Sequence, residues 1–201
     1  YNEENIKTFL DRLNTQFFLP PIHPHYVWKP EQIVLLFDSI MRGYPISSFL
    51  FWELTQDNRD KWEVYKFAEV ANSEGTNHIK LPSAVGIQNV TLVLDGQQRL
   101  TSMLIGLKGD YRIRKKYQWA QKMTAFPSYQ LYLDMFADPS PRDDDHEFTG
   151  KPYYAFEFLN REPENSADHH WFRVGRIMDC QDDNAFYRLK DEEEATFPPE
   201  I

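Results

Sequence analysis

Val90-Thr91-Leu92-Val93-Leu94-Asp95-Gly96-Gln97-Gln98-Arg99-Leu100-Thr101-Ser102 decides how this 201-residue chain is read. Residues 90–94 are Val or Leu at every position but Thr91, the pattern of a buried strand. Asp95-Gly96 ends that strand, and Leu100, Met103, Leu104 and Leu107 fall on one face of a helix over 97–107. A strand that runs into a helix through so short a turn leaves the first helical N–H groups unpaired and pointing outward. With the helix dipole they make an anion site. Gly96 lets a ligand approach the backbone, and Arg99 can place a guanidinium fork on the same anion. Gln97 and Gln98 add neutral donors and acceptors. Two roles are open to Asp95. It caps the helix, accepting from the N–H of Gln97 or Gln98, or it holds a magnesium ion that bridges to phosphates. The plainer alternative is a capped helix with a solvent-facing arginine. No GxxxxGK[ST] loop occurs, so a nucleotide site here is not of the P-loop kind.

Outward from this junction, helices and strands interleave. Ile6, Phe9, Leu10 and Leu13 lie at helical spacing within 3–16. In Leu19-Pro20-Pro21-Ile22-His23-Pro24-His25, three prolines in five residues force an extended chain, which Tyr26-Val27-Trp28 continues. Pro30 stands where a first helical residue is expected. Ile33, Leu36, Phe37, Ile40 and Met41 then form one apolar stripe, which Gly43 and Pro45 end. Strands are expected over 48–54, 64–70, 129–135, 153–159 and 170–174, and loops over 72–86 and 138–150. The fold class this predicts is α+β (mixed α/β), with helices packed on a small mixed sheet. The expected organisation is an N-terminal helix over 1–18, one domain over 19–190, and an acidic tail over 191–201 that stops short of a further domain.

Composition narrows the function classes. The 22 basic and 31 acidic residues leave a net charge of −9, which argues against a sequence-blind, charge-driven nucleic-acid binder. Cys180 is the one cysteine, so an internal disulfide and a cysteine-rich zinc site are excluded and a reducing cytoplasm fits. No apolar run approaches the ~20 residues that span a bilayer, so no membrane partner is expected.

Other clusters carry less. Arg112-Ile113-Arg114-Lys115-Lys116 with Lys122, interleaved by Tyr111, Tyr117 and Trp119, suits a phosphate backbone or a solvated helix face. Asp143-Asp144-Asp145-His146 reads as a solvated loop. His169 and His170, adjacent on a strand, point to opposite faces. A metal site at His23 and His25 lacks a third ligand nearby, and His78 carries no argument.

Asp95-Gly96-Gln97-Gln98-Arg99-Leu100-Thr101-Ser102 resembles the signature of the GmrSD-type restriction factors in their N-terminal nucleotide-hydrolysing domain, which has a ParB/sulfiredoxin-like core. The resemblance extends to Tyr26-Val27-Trp28-Lys29-Pro30-Glu31-Gln32 and Ser39-Ile40-Met41-Arg42-Gly43-Tyr44-Pro45-Ile46, in the family's order. It implies hydrolysis of a nucleoside triphosphate, GTP favoured, with Mg²⁺. Asp95, Gln97, Gln98 and Arg99 would be catalytic, with Asp95 the candidate magnesium ligand. Gly96, Arg99, Thr101 and Ser102 would bind the nucleotide. One glutamine would orient the attacking water, as in other nucleotide hydrolases; which one is open. It further implies a C-terminal HNH-type nuclease domain of the same protein as partner, and a bacterial cytoplasmic setting. In sulfiredoxin the equivalent turn carries a reactive cysteine; Gln98 stands near that place, so that chemistry is not expected.

Family members often carry a Gln-Arg pair before the aromatic-Val-Trp, where this chain has His23-Pro24-His25. Pro24-His25-Tyr26-Val27-Trp28-Lys29 instead resembles the motif of the SspE-type effectors, which act in phage defence where host DNA carries phosphorothioate links. The resemblance implies that His23, Pro24, His25, Tyr26, Val27, Trp28 and Lys29 sense modified DNA. Sulfur on a phosphate is larger, softer and poorly hydrated, so a discriminating pocket should offer apolar edges. Pro24, Tyr26 and Trp28 can supply them, while His25 and Lys29 hold the remaining charge. His23 and His25 would point the same way in an extended chain. Tyr26 is expected on this reading surface; Trp28 is open between that surface and the core.

Overall fold

A computed structural model of the chain describes residues 5–59, 61–81, 87, 89–114, 125–138 and 151–197. Chain order is α1 (Ile6–Arg12), β1 (Phe17–Phe18), α2 (Pro30–Met41), β2 (Leu50–Glu53), α3 (Gln56–Arg59), β3 (Val70–Asn72), β4 (Thr91–Asp95), α4 (Gln97–Leu107), β5 (Asp110–Arg112), β6 (Ser128–Asp134), β7 (Phe156–Leu159), β8 (Trp171–Arg173), a 3₁₀ turn (Val174–Asp179) and α5 (Asp183–Glu194). The α+β class holds, in two mixed sheets. The first has the order β1-β4-β2, with β1 parallel and β2 antiparallel to β4. In the second, β3 runs parallel to β5, β5 is antiparallel to β6, and β7 and β8 both flank β6 antiparallel.

Helix ends follow local chemistry. Asn5 caps α1 by accepting from Lys7 N at 2.8 Å. Pro30 opens α2, and the Lys29 N–H donates to Gln32 Oε1 at 3.0 Å. At its other end Gly43, with φ +70°, donates to Ile40 O and Tyr44 N donates to Ser39 O, a paired closure that a left-handed glycine permits.

Helix α4 is the centre of the packing. Leu100, Met103, Leu104, Ile105 and Leu107 join Ile33, Phe37, Leu131 and Phe158 in the main core. A smaller core of Phe18, Leu54, Val64, Val90 and Leu92 lies on the first sheet. Several expectations shift. Helix α1 stops at Arg12, because Phe17 and Phe18 pair with β4 and pull the chain into the sheet. Residues 64–69 form isolated bridges, Tyr65 with Leu19 and with Lys80, and strand pairing begins only at Val70. The end of β4 is not buried: Leu94 and Asp95 are exposed where the strand outruns the core. Among the described residues no helix is long and apolar enough to cross a membrane.

Candidate functional site

The β4–α4 junction turns on one residue. Gly96 caps α4 with φ +84°, a conformation L side chains rarely adopt. Its missing Cβ is used by the chain itself: a Cβ there would lie 2.3 Å from Phe49 Cδ1. The space that a Cβ at Gly96 would need is taken by a phenylalanine ring. No side chain caps the helix, which corrects the capping role considered for Asp95. The Asp95 carboxylate is 70% exposed, 3.7 Å from Arg99 Nη2. The first-turn amides of Gln97, Gln98 and Arg99 therefore stay open to an anion.

Arg99 does not face solvent. It donates to the carbonyls of Ile46 and Ser48, and its guanidinium lies 4.8 Å from the Phe49 ring centroid. The Arg-Gly-Tyr-Pro-Ile stretch is thereby tied to the junction. Gln97 is buried; its Nε2 donates to Val93 O at 2.7 Å and its Oε1 has no partner among the described residues. Gln98 reaches outward: Nε2 donates to His25 O at 2.9 Å, and Oε1 accepts from Val27 N at 3.1 Å. Thr101 and Ser102 are buried, their hydroxyls donating to Gln97 O and Gln98 O one turn back. Neither is among the residues that line the cleft between Pro24, Trp28 and Leu94–Arg99.

The 23–29 segment is split by its own alternation. Tyr26 is buried, its hydroxyl 2.8 Å from Ser102 Oγ, and burial pushes its phenol well above the ordinary range. It is core rather than reading surface, which corrects the expectation. Pro24, His25, Val27 and Lys29 are exposed. His23 does not share the exposure of His25. Its Nδ1 donates to Pro20 O at 2.7 Å, and its ring lies 4.8 Å from both Tyr65 and His78. Burial, then the neighbouring His23, pushes His78 down to about 4. Trp28 is half-buried, and its carbonyl accepts from the hydroxyl of buried Tyr111 at 3.2 Å. Tyr111 and His78 are supports that sequence reasoning missed; their partners lie too far along the chain for spacing to reveal.

Pro24 and Trp28 form one wall of a cleft of about 290 Å³, and Leu94–Arg99 form the other. The two stretches singled out in the sequence thus meet at one place, joined by Gln98. A larger apolar hollow of about 520 Å³, among Phe37, Leu133, Phe156, Phe172 and Phe186, holds none of these residues. Of the basic run, Arg114 pairs with Glu74 and Arg112 lies 4.0 Å from Asp110; Lys115, Lys116, Tyr117, Trp119 and Lys122 fall outside the described residues, as do Asp143–His146. His169 and His170 do take separate partners, Asp134 and Glu193.

Asp95 suits a magnesium ion held mainly by phosphate oxygens and water, since one exposed carboxylate at the mouth of the cleft meets that need. Among the described residues no three ligating side chains converge.

The chain is 26% identical over 187 residues to an uncharacterized protein of Methanocaldococcus jannaschii, a match covering 90% of this chain and 25% of that protein. The chain thus spans about a quarter of the length of the curated relative it matches. Residues 6–196 match the family described as GmrSD restriction endonuclease, N-terminal domain, and the chain belongs to that family.

Proposed function

We propose that this restriction-related domain hydrolyses a nucleoside triphosphate, GTP favoured, and couples hydrolysis to sensing of modified DNA. The observation that carries the reading is the cleft itself: open amides of the α4 N-terminus on one side, Pro24 and Trp28 of the sensing-type segment on the other. Phosphates bind the amides of Gln97–Arg99 along the helix dipole. Asp95 holds Mg²⁺, which supplies charge neutralisation at the phosphates when bound. Arg99 fixes residues 46–49 against the junction and leaves further N–H groups for the anion.

Exposed Pro24 and Val27 offer apolar edges to a phosphorothioate sulfur, while His25 and Lys29 attract the remaining charge. A C-terminal nuclease domain would cut, in keeping with a relative far longer than this chain. With a net charge of −9, DNA binding by this chain alone is weak and falls with added salt.

A second reading is a nucleotide-dependent DNA clamp without turnover. Its supporting observation is that Arg99 is already bonded to two carbonyls. Phosphate release from GTP and the other triphosphates with Mg²⁺, alone and with plain or phosphorothioate DNA, separates them. Hydrolysis raised by phosphorothioate DNA is the expected result. Tight nucleotide binding without release selects the clamp. Neither binding nor hydrolysis overturns both.

A further inference from the structure

The 23–29 segment does not lie alone at the surface. Tyr26 and Thr76, both buried, form an antiparallel bridge. Alternation in an extended chain turns their neighbours His25 and Asn77 to the opposite side, and both are exposed. Residues that face each other across an antiparallel pair have Cβ atoms about 5 Å apart. Two residues on from Asn77, and on the same side, Ile79 is 70% exposed. A second bridge, Tyr65 with Lys80, brings Lys66 opposite Ile79, and Lys66 N donates to Ile79 O at 2.8 Å. His25, Asn77, Ile79 and Lys66 thus follow one another along one strip.

The charge of this strip departs from that of the chain. Of the 31 acidic residues none falls in 12–30 or in 75–94, the two stretches that Tyr26 and Thr76 join. Two acidic residues that flank the strip in sequence are already engaged, Glu63 with Lys80 at 2.6 Å and Glu74 with Arg114. A polyanion repelled by a chain of net charge −9 meets least repulsion where carboxylates are absent or paired.

We propose that residues 77–79, with Lys66, extend the DNA-reading surface beyond the 23–29 segment and hold the backbone that flanks the modified link. The inference rests on the modified-DNA reading above. Asn77, beside His25, donates its amide N–H to a phosphate oxygen. Ile79 packs on deoxyribose, and Lys66 adds positive charge. Such contacts fix the register of a duplex and carry no sequence information. The strip therefore sets how tightly DNA binds, while residues 25–29 set which link is preferred.

The test changes one charge at two places, with Asn77→Asp and Asn77→Lys on the strip and Asn184→Asp and Asn184→Lys on exposed α5. Affinity for a phosphorothioate duplex, and for the plain duplex of the same sequence, is measured by fluorescence anisotropy from low salt upward. Asn77→Asp should weaken binding of both by at least about tenfold, as a carboxylate set against phosphate does. The ratio between the two duplexes should stay within about twofold of wild type, since the contact is to the backbone. Asn77→Lys should tighten both and steepen the log–log dependence on salt by about one unit, a gain that an unfolded variant cannot give. Both Asn184 variants should bind within about twofold of wild type, because salt screens a charge that far from the DNA.

Asn77 variants that bind DNA as wild type does, as they would if the strip served a protein partner, overturn the inference and leave the modified-DNA reading intact. An equal response in the Asn184 pair overturns it too, and so does a ratio that collapses in Asn77→Asp. A wild-type chain that binds neither duplex at low salt overturns both.

Discussion

Helices α4 and α5 are nearly equal in length and opposite in environment. In α4, Gln97 and every residue from Leu100 to Leu107 are buried; in α5 none is. The first is walled by α1, α2, strands β5 and β6 and the 3₁₀ turn. The second is held near its ends. Asp182 accepts from Ala185 N at 2.7 Å, Glu193 meets Arg176 and His170, and just past the helix Phe197 packs on Phe136 and His170. The site therefore starts from the part of the chain with the least freedom, which keeps its amides aimed before any ligand arrives. Helix α5, with no buried residue, is expected to open before α4.

The contrast is tested most strongly by truncating each helix. Ile105→Ala, at a fully buried position, should cost about 2–5 kcal/mol in denaturant unfolding. Tyr187→Ala, on exposed α5, should stay within about 0.5 kcal/mol. Comparable losses would break the comparison. Next in size is Gly96→Ala. Its positive φ and the clash with Phe49 should together cost about 1–3 kcal/mol, as read from the denaturation midpoint. Adding Phe49→Ala should reduce the coupling between the two sites and leave the backbone strain.

A pH experiment gives a smaller effect. The folded-state pKa of His78 is depressed to about 4 from 6.5, so its contribution is present above pH 6.5 and is lost as pH falls toward 4. Wild type should lose more thermal stability between those values than His78→Gln. An identical loss in the variant would remove His78 from the account. The smallest global effect belongs to Glu193→Gln, which should speed hydrogen exchange along 183–194 without shifting cooperative unfolding. A shift as large as that of Ile105→Ala would place α5 in the global core.

Much of the architecture was legible because periodicity and punctuation agree locally. The apolar stripe between Pro30 and Gly43 marks α2, and the run from Gln97 to Leu107 marks α4 to the residue. Short elements were not legible. Phe17 and Phe18 become a strand only because Thr91 and Leu92 lie beside them. In the 64–70 stretch the strand pattern is present, but the partners allow only single bridges.

The sequence by itself determined the α+β class, the strand-to-helix junction at Asp95-Gly96 and the family the chain resembles, since each rests on residues adjacent along the chain. Only the tertiary structure decided the individual roles. Tyr26 turns inward to Ser102, Arg99 binds the carbonyls of Ile46 and Ser48, and Gln98 holds His25 and Val27 while Gln97 Oε1 meets no partner among the described residues. Alternation along an extended segment assigns two faces without saying which is buried. The hydrogen bonds that settle it join residues 51 to 76 positions apart, a separation over which spacing carries no information.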